Sequence, residues 1–94
     1  MPLIFEWNEE KASSNKKKHK VSFEEASTVF GDLLSLTIPD PLHSKDEDRL
    51  VIIGQSEKQS LLVVVHVEHN STIRLISARP ATAHERTFYE EDHG

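Results

Sequence analysis

The sequence predicts an α+β fold, an antiparallel sheet with helices packed on it in the order β-α-α-β-β-β-β-α. Three observations predict it. Capping boxes mark helix starts at Ser22 and Thr82, with Glu25 and Glu85 three residues on. Runs rich in β-branched residues at 49–55, 60–67 and 72–79 have the length and composition of strands. The segments between those runs are short, and short turns join antiparallel neighbours.

Taken in order, residues 2–6 read as a short strand, with Trp7 just after it. Asn8 is a helix N-cap, and Glu9 and Glu10 in the first turn complement the helix dipole. That helix is expected to run to about His19. Ala12 is almost its only apolar residue, so it is expected on the surface, pinned by Trp7. Ser22 opens a second helix, where Val21 and Ala26 can form a hydrophobic staple. Phe23, Ala26 and Phe30 follow helical spacing, and Gly31 is its stop. Residues 33–38 read as a strand ended by Pro39-Asp40-Pro41, and 42–48 as a polar loop. Strand 49–55 follows, then a turn at 56–59. Strand 60–67 is the most apolar and is expected at the centre of the sheet. A turn at 68–71 leads to the last strand, 72–79, which Pro80 stops. A C-terminal helix is expected from Thr82 through about Glu91.

A chain of 94 residues suffices for one domain with a modest core, so a single domain over 1–94 is expected. It has no cysteine, which excludes a disulfide framework and thiolate metal sites. No apolar run approaches the roughly 18–20 residues of a membrane span. The N-terminus lacks the basic start and apolar run of a signal peptide, so the expected compartment is the cytoplasm. The formal charge of −5 argues against a uniformly basic nucleic-acid binder. Charge is unevenly placed, however: Lys11, Lys16, Lys17, Lys18 and Lys20 crowd together, while Glu90, Glu91 and Asp92 make an acidic tail. Salt screens charges beyond roughly 8–10 Å, so a local basic patch can hold phosphate on an acidic protein. The plain alternative is a solvated helix face.

Strand alternation groups candidate site residues. If the 68–71 turn uses two or four loop residues, His66 shares a face with Leu75, Ser77 and Arg79. If the 56–59 turn has four residues, Arg49 lies opposite His66. This places Arg49, His66, Ser77 and Arg79 on one face and points Arg74 the other way; a one-residue bulge would break the grouping. Arginines beside a histidine suit phosphodiester chemistry. Arginine binds phosphate bidentately and stabilises a pentavalent transition state, and histidine moves protons near neutral pH. RNA supplies its own nucleophile, the 2′-hydroxyl, so the chemistry requires neither a metal nor another cofactor. Structural roles stand beside these. Arginine and histidine on strands also pair with acids such as Glu6 or Glu68. Glu85 is the third residue of its capping box, Tyr89 one turn later can simply pack, and His19 can complement a helix C-terminus. His66 and His69 point to opposite faces of a regular strand and cannot share a metal. There is no Gly-rich phosphate loop and no H-E-x-x-H motif.

Three stretches carry a family resemblance: F-E-W-N-E-E-K-A-S-S-N-K-K-K-H-K-V-S-F-E-E-A-S-T-V-F-G-D, then D-R-L-V-I-I-G with L-L-V-V-V-H, then I-R-L-I-S-A-R-P-A-T-A-H-E-R-T-F-Y-E. Together they resemble the BrnT toxin family from Phe5 to about Glu90. The resemblance implies the toxin of a bacterial type II toxin–antitoxin pair with a RelE-like ribonuclease fold, which cleaves RNA and arrests growth. It implies a BrnA-like antitoxin in a hetero-oligomer, with operator DNA bound only through the antitoxin. The positions that match its motifs are Lys18, His19, Arg49, His66, Arg74, Ser77, Arg79, Glu85 and Tyr89. Three positions depart from the pattern: Asn8 for Asp, Lys20 where K-H-G is usual, and His69 where arginine is common.

Two readings follow. In the first, the chain is a metal-independent endoribonuclease. Arg49 and Arg79 hold the scissile phosphate, His66 is the leading acid/base, and His19 or Glu85 can substitute. Lys16, Lys17 and Lys18 steer the RNA backbone, with Arg74, Ser77 and Tyr89 as further RNA contacts. In the second, catalysis has decayed and the chain is a binding module acting through its antitoxin in a repressor complex. Lys20 and His69 are the residues that favour it. Direct DNA binding by the basic helix is disfavoured, because no helix-turn-helix spacing accompanies it.

Overall fold

The computed structural model describes residues 3–40 and 48–91. The elements are β1 (Ile4–Glu6), α1 (Glu9–His19), α2 (Phe23–Thr28), a 3-10 turn (Val29–Gly31), β2 (Leu36–Pro39), β3 (Arg49–Gln55), β4 (Leu61–His69), β5 (Thr72–Pro80) and α3 (Ala83–Glu91). The loop expected over 42–48 lies outside the described residues apart from Asp48. No helix among the described residues is long and apolar enough to cross a membrane.

The α+β class and element order hold, but the sheet is mixed rather than wholly antiparallel. Its order is β1-β5-β4-β3-β2, with β4 central as expected. β1 runs parallel to β5, Ile4 opposite Thr72 and Glu6 opposite Arg74. Two helices follow β1, so no tight turn dictates its direction. β2 begins later than residue 33. Asp32 Oδ1 accepts the Leu34 N–H (2.9 Å) and the Asp32 carbonyl accepts the Ser35 N–H (3.1 Å), which spends that stretch on a turn.

One face of the sheet is covered by the first two helices. Val21, Phe23, Ala26 and Val29 pack on Ile52, Leu62, Val64, Ile73, Leu75 and Ala78. Gly54 is needed for that closeness: a Cβ there would lie 2.9 Å from both Val29 Cγ1 and Ser35 Cβ. The Ser22 cap accepts the Glu25 N–H at 3.0 Å, as its capping box predicts. On the other face Tyr89 of α3 joins Ile53, Leu61 and Val63 in a smaller cluster.

α1 is held by more than Trp7, whose ring meets Phe23 edge-on at 5.9 Å. β1 pairs with residues 72–74 of β5, and among the described residues no strand lies beside the rest of that edge. The buried Asn15 takes the strand's place. Its Nδ2 donates to the Ala78 carbonyl (2.8 Å) and the Val21 carbonyl (3.0 Å), and its Oδ1 accepts the Ala78 N–H (3.0 Å). The helix ends at Lys20, whose φ of 62° is left-handed. That is the conformation in which glycine is favoured at this position.

Candidate active site

Two local irregularities decide which side chains meet. The β3–β4 connection spans 56–60, one residue more than expected, so Arg49 pairs with Val67 and Leu50 takes the place opposite His66. A bulge then interrupts β4–β5. His66 shares a face with Leu75, as alternation predicts, and pairs with it, but Val65 pairs with Ser77, which leaves Ile76 as the extra residue. Beyond the bulge every β5 side chain changes face.

The expected grouping of His66 with Arg49, Ser77 and Arg79 therefore does not form. His66 lies on the helix-covered face, 0% exposed. Phe30 meets its ring edge-on at 4.8 Å, and its Nε2 is 3.1 Å from Glu68 Oε2, the acid partner considered for it from sequence. Arg74 was expected to point away. Instead it pairs with Val67 and joins Arg49, Ser77 and Arg79 on the opposite face.

That face carries a cleft of about 520 Å³, floored by Val51, Ile53, Val63 and Val65 and rimmed by Ser77, Arg79, His84, Glu85 and Phe88. Arg79 is gripped at its edge. Nη1 and Nη2 donate to Glu85 Oε1 and Oε2, both at 2.7 Å. Glu85 is at the same time the capping residue expected of it: its Oε1 accepts the Thr82 N–H at 2.9 Å, and Thr82 Oγ1 accepts the Glu85 N–H at 3.2 Å. The bond to Arg79 holds the Glu85 carboxyl down at about 2, and the same bond raises the Arg79 guanidinium. Glu85 is thus an ionised carboxylate at neutral pH, with no proton to give.

Ser77 also borders a second, shallower groove of about 260 Å³ between α1 and β5, lined by Lys11, Lys18 and His19. The two hollows meet at this serine, so Arg79 and Glu85 stand on one side of it and Lys18 and His19 on the other. Lys16 and Lys17 are exposed on the last turn of α1 and line neither hollow. Tyr89 is buried away from both. Its hydroxyl donates to Asp32 Oδ2 at 2.7 Å, and burial together with that acid pushes it up to about 12. Its observed role is to tie α3 to the turn before β2.

Sequence reasoning placed Lys11 only in the basic run, and it missed Asn15 and His84. A signal existed for the first two: Lys11, Asn15, Lys18 and His19 recur at helical spacing and form one stripe of α1. His84 adjoins Glu85 in the first turn of α3 and gave no comparable signal.

The family model described as "Ribonuclease toxin, BrnT, of type II toxin-antitoxin system" matches residues 7–85. Among solved structures, the chain is similar to the 1.1 Å crystal structure of the Brucella abortus ribonuclease toxin, BrnT. Sequence identity is 26%, the match covers 87% of this chain and 97% of that one, and the TM-score is 0.64. No curated protein matches the sequence. The chain belongs to the BrnT family, ribonuclease toxins of type II toxin–antitoxin systems, and membership implies an antitoxin partner.

Proposed function

We propose that the chain is an endoribonuclease that cleaves RNA without metal, by attack of the 2′-hydroxyl on the adjacent phosphodiester. The observation that carries this is the meeting of the two hollows at Ser77, with a bidentate-held arginine on one side and a lysine–histidine pair on the other. A phosphate lying over Ser77 has Arg79 and Lys18 to bind its oxygens. His19 takes the 2′-hydroxyl proton as the oxygen attacks phosphorus. Arg79 stabilises the added charge of the pentavalent state. The 5′-oxygen leaves with a proton taken from solvent, giving a 2′,3′-cyclic phosphate and a 5′-hydroxyl, and His19 gives its proton back to solvent. Glu85 aims Arg79, and Lys16 and Lys17 draw the RNA towards α1. His66 takes a packing role in this reading.

The same reading includes a RelE-like ribonuclease architecture over the single domain 1–94, a cytoplasmic setting and arrest of growth. It also includes a BrnA-like antitoxin seated on the cleft. Ile38 and Phe88 line that cleft and are 40% and 46% exposed, apolar surface that a partner can bury. Operator DNA is bound through the antitoxin. A decayed, purely binding module is the second reading. Lys20 and His69 prompt it, and neither lines the two hollows that meet at Ser77.

The test is RNA cleavage by the purified chain in EDTA, beside Arg79→Ala. Cleavage by the native chain alone, with cyclic phosphate ends, is the expected result. A folded native chain that cleaves nothing, free or on ribosomes, moves the assignment to the binding module. Saturating antitoxin should raise the melting temperature, and an unchanged value would remove the tight complex from the proposal.

A further inference from the structure

We propose that Asn15 is a positioning residue for RNA cleavage, which sets His19 at its distance from the phosphate over Ser77. The inference rests on the ribonuclease reading and adds to it the device that aligns the two walls of the groove. α1 carries Lys18 and His19, and β5 carries Ser77 and Arg79. α1 has little apolar surface with which to hold that alignment. Ala12, together with Trp7 before the helix, packs against the core, but Lys16, Lys17 and Lys18 in the last turn are exposed. The buried residue of α1 is Asn15.

A polar side chain in such a place costs free energy unless its hydrogen bonds are made. Asn15 makes three, and where they end decides what the residue does. Oδ1 accepts the Ala78 N–H at 3.0 Å, and Nδ2 donates to the Ala78 carbonyl at 2.8 Å. Ala78 stands between Ser77 and Arg79, with its own side chain in the core. Fixing its peptide groups therefore fixes the strand between those two. Nδ2 also donates to the Val21 carbonyl at 3.0 Å. A residue that merely closed the edge of β5 would stop at Ala78. This third bond instead joins residue 15 to residue 21 across the end of the helix, and Lys18 and His19 lie within the loop it closes.

His19 comes one turn after Asn15, a spacing at which side chains are neighbours on a helix face. Asn15, Lys18, His19 and Ser77 all line the same groove. A base must stand within hydrogen-bond reach of the 2′-hydroxyl, and a misplacement of about 1 Å can cost roughly 10²-fold in rate. One amide thus governs the gap across which the proton moves.

The experiment measures kcat and KM on a labelled single-stranded RNA of mixed sequence. It compares the native chain with Asn15→Asp and Val29→Ala, and repeats Asn15→Asp in a His19→Ala background. Aspartate keeps the shape of asparagine and the acceptor for the Ala78 N–H, while its carboxylate has no donor for the two carbonyls. Asn15→Asp should lower kcat roughly 10²-fold per folded molecule, with KM changed by less than about threefold. Val29→Ala opens a cavity in the core, so it should lower the melting temperature and keep kcat. With His19 already removed, Asn15→Asp should lower kcat by less than about threefold, because residues that act as a unit are not additive. Native kcat in folded Asn15→Asp overturns the proposal. So does an equal loss with and without His19, or a loss in Val29→Ala as large as that in Asn15→Asp, since each marks a general loosening of the fold. An Asn15→Asp chain that does not fold makes the amide purely structural and overturns it too. A native chain that cleaves no RNA overturns the ribonuclease reading itself, which none of the variant results does.

Discussion

The two faces of the sheet use the same residue types to opposite ends. On the covered face His66 is sealed between Phe30 and the strand below, its ring nitrogen against Glu68. At the β5 edge His19 stays partly exposed and lines a groove with Lys11 and Lys18 that reaches Ser77. The covered face is filled by aliphatic and aromatic side chains, whereas Arg49, Arg74 and Arg79 all reach the open one. A histidine in a basic cleft has water and charge to exchange protons with. The core histidine has a carboxylate beside it but no solvent, and its removal leaves a hole. Residue chemistry alone does not separate these roles; the face does.

The sharpest way to break this comparison is to remove one residue from each side. Arg79→Ala should cut RNA cleavage by roughly 10²–10³-fold, the scale for losing a preorganised transition-state donor. Its thermal unfolding should shift little, because this partly exposed ion pair is an edge feature. His66→Ala should do the reverse. It should lose about 2–4 kcal/mol of stability in denaturant unfolding, from the cavity and the broken contacts. Below its melting temperature the cleavage rate per folded molecule should match the native chain. If His66→Ala abolishes cleavage while folded, the division of labour between the faces is wrong.

Smaller effects sharpen it. Glu85 is held at about 2 against an ordinary 4.5, so its pairing favours the fold above that ordinary value and ceases to do so as pH falls towards 2. Glu85→Gln keeps the capping reach and removes the charge. Acid unfolding of this variant should show a shallower loss of stability between about 4.5 and 2. At neutral pH its kcat should fall, because Arg79 is no longer gripped. The smallest effect belongs to Lys20, a left-handed residue outside the two hollows that meet at Ser77. Lys20→Gly should raise stability by about 1 kcal/mol with unchanged cleavage, read by denaturant unfolding and the RNA assay.

Local chemistry made much of this legible. The caps at Asn8, Ser22 and Thr82 and the strands from β3 to β5 follow from short-range rules. The left-handed stop at Lys20 follows from the K-H-G pattern of the resembling family. Alternation placed His66 correctly on the face of Leu75. It failed two residues later, because a bulge within a strand leaves no mark in the turn lengths that set the expected register. The parallel pairing of β1 with β5 and the burial of Asn15 were hidden for a related reason. Both depend on residues far along the chain, Asn15 meeting Ala78 across 63 positions. The site was legible as a list of residue types and not as a grouping.

Asn15 has one further consequence, for timing. The groove beside Ser77 has one wall on α1 and the other on β5, and the amide of Asn15 fastens them. A nascent chain that has emerged only as far as β4 has its lysines and His19 but no opposing wall. Contacts of such long sequence separation form late. The cell that makes this protein therefore holds no half-built groove during synthesis: its two walls meet only when the last strand arrives.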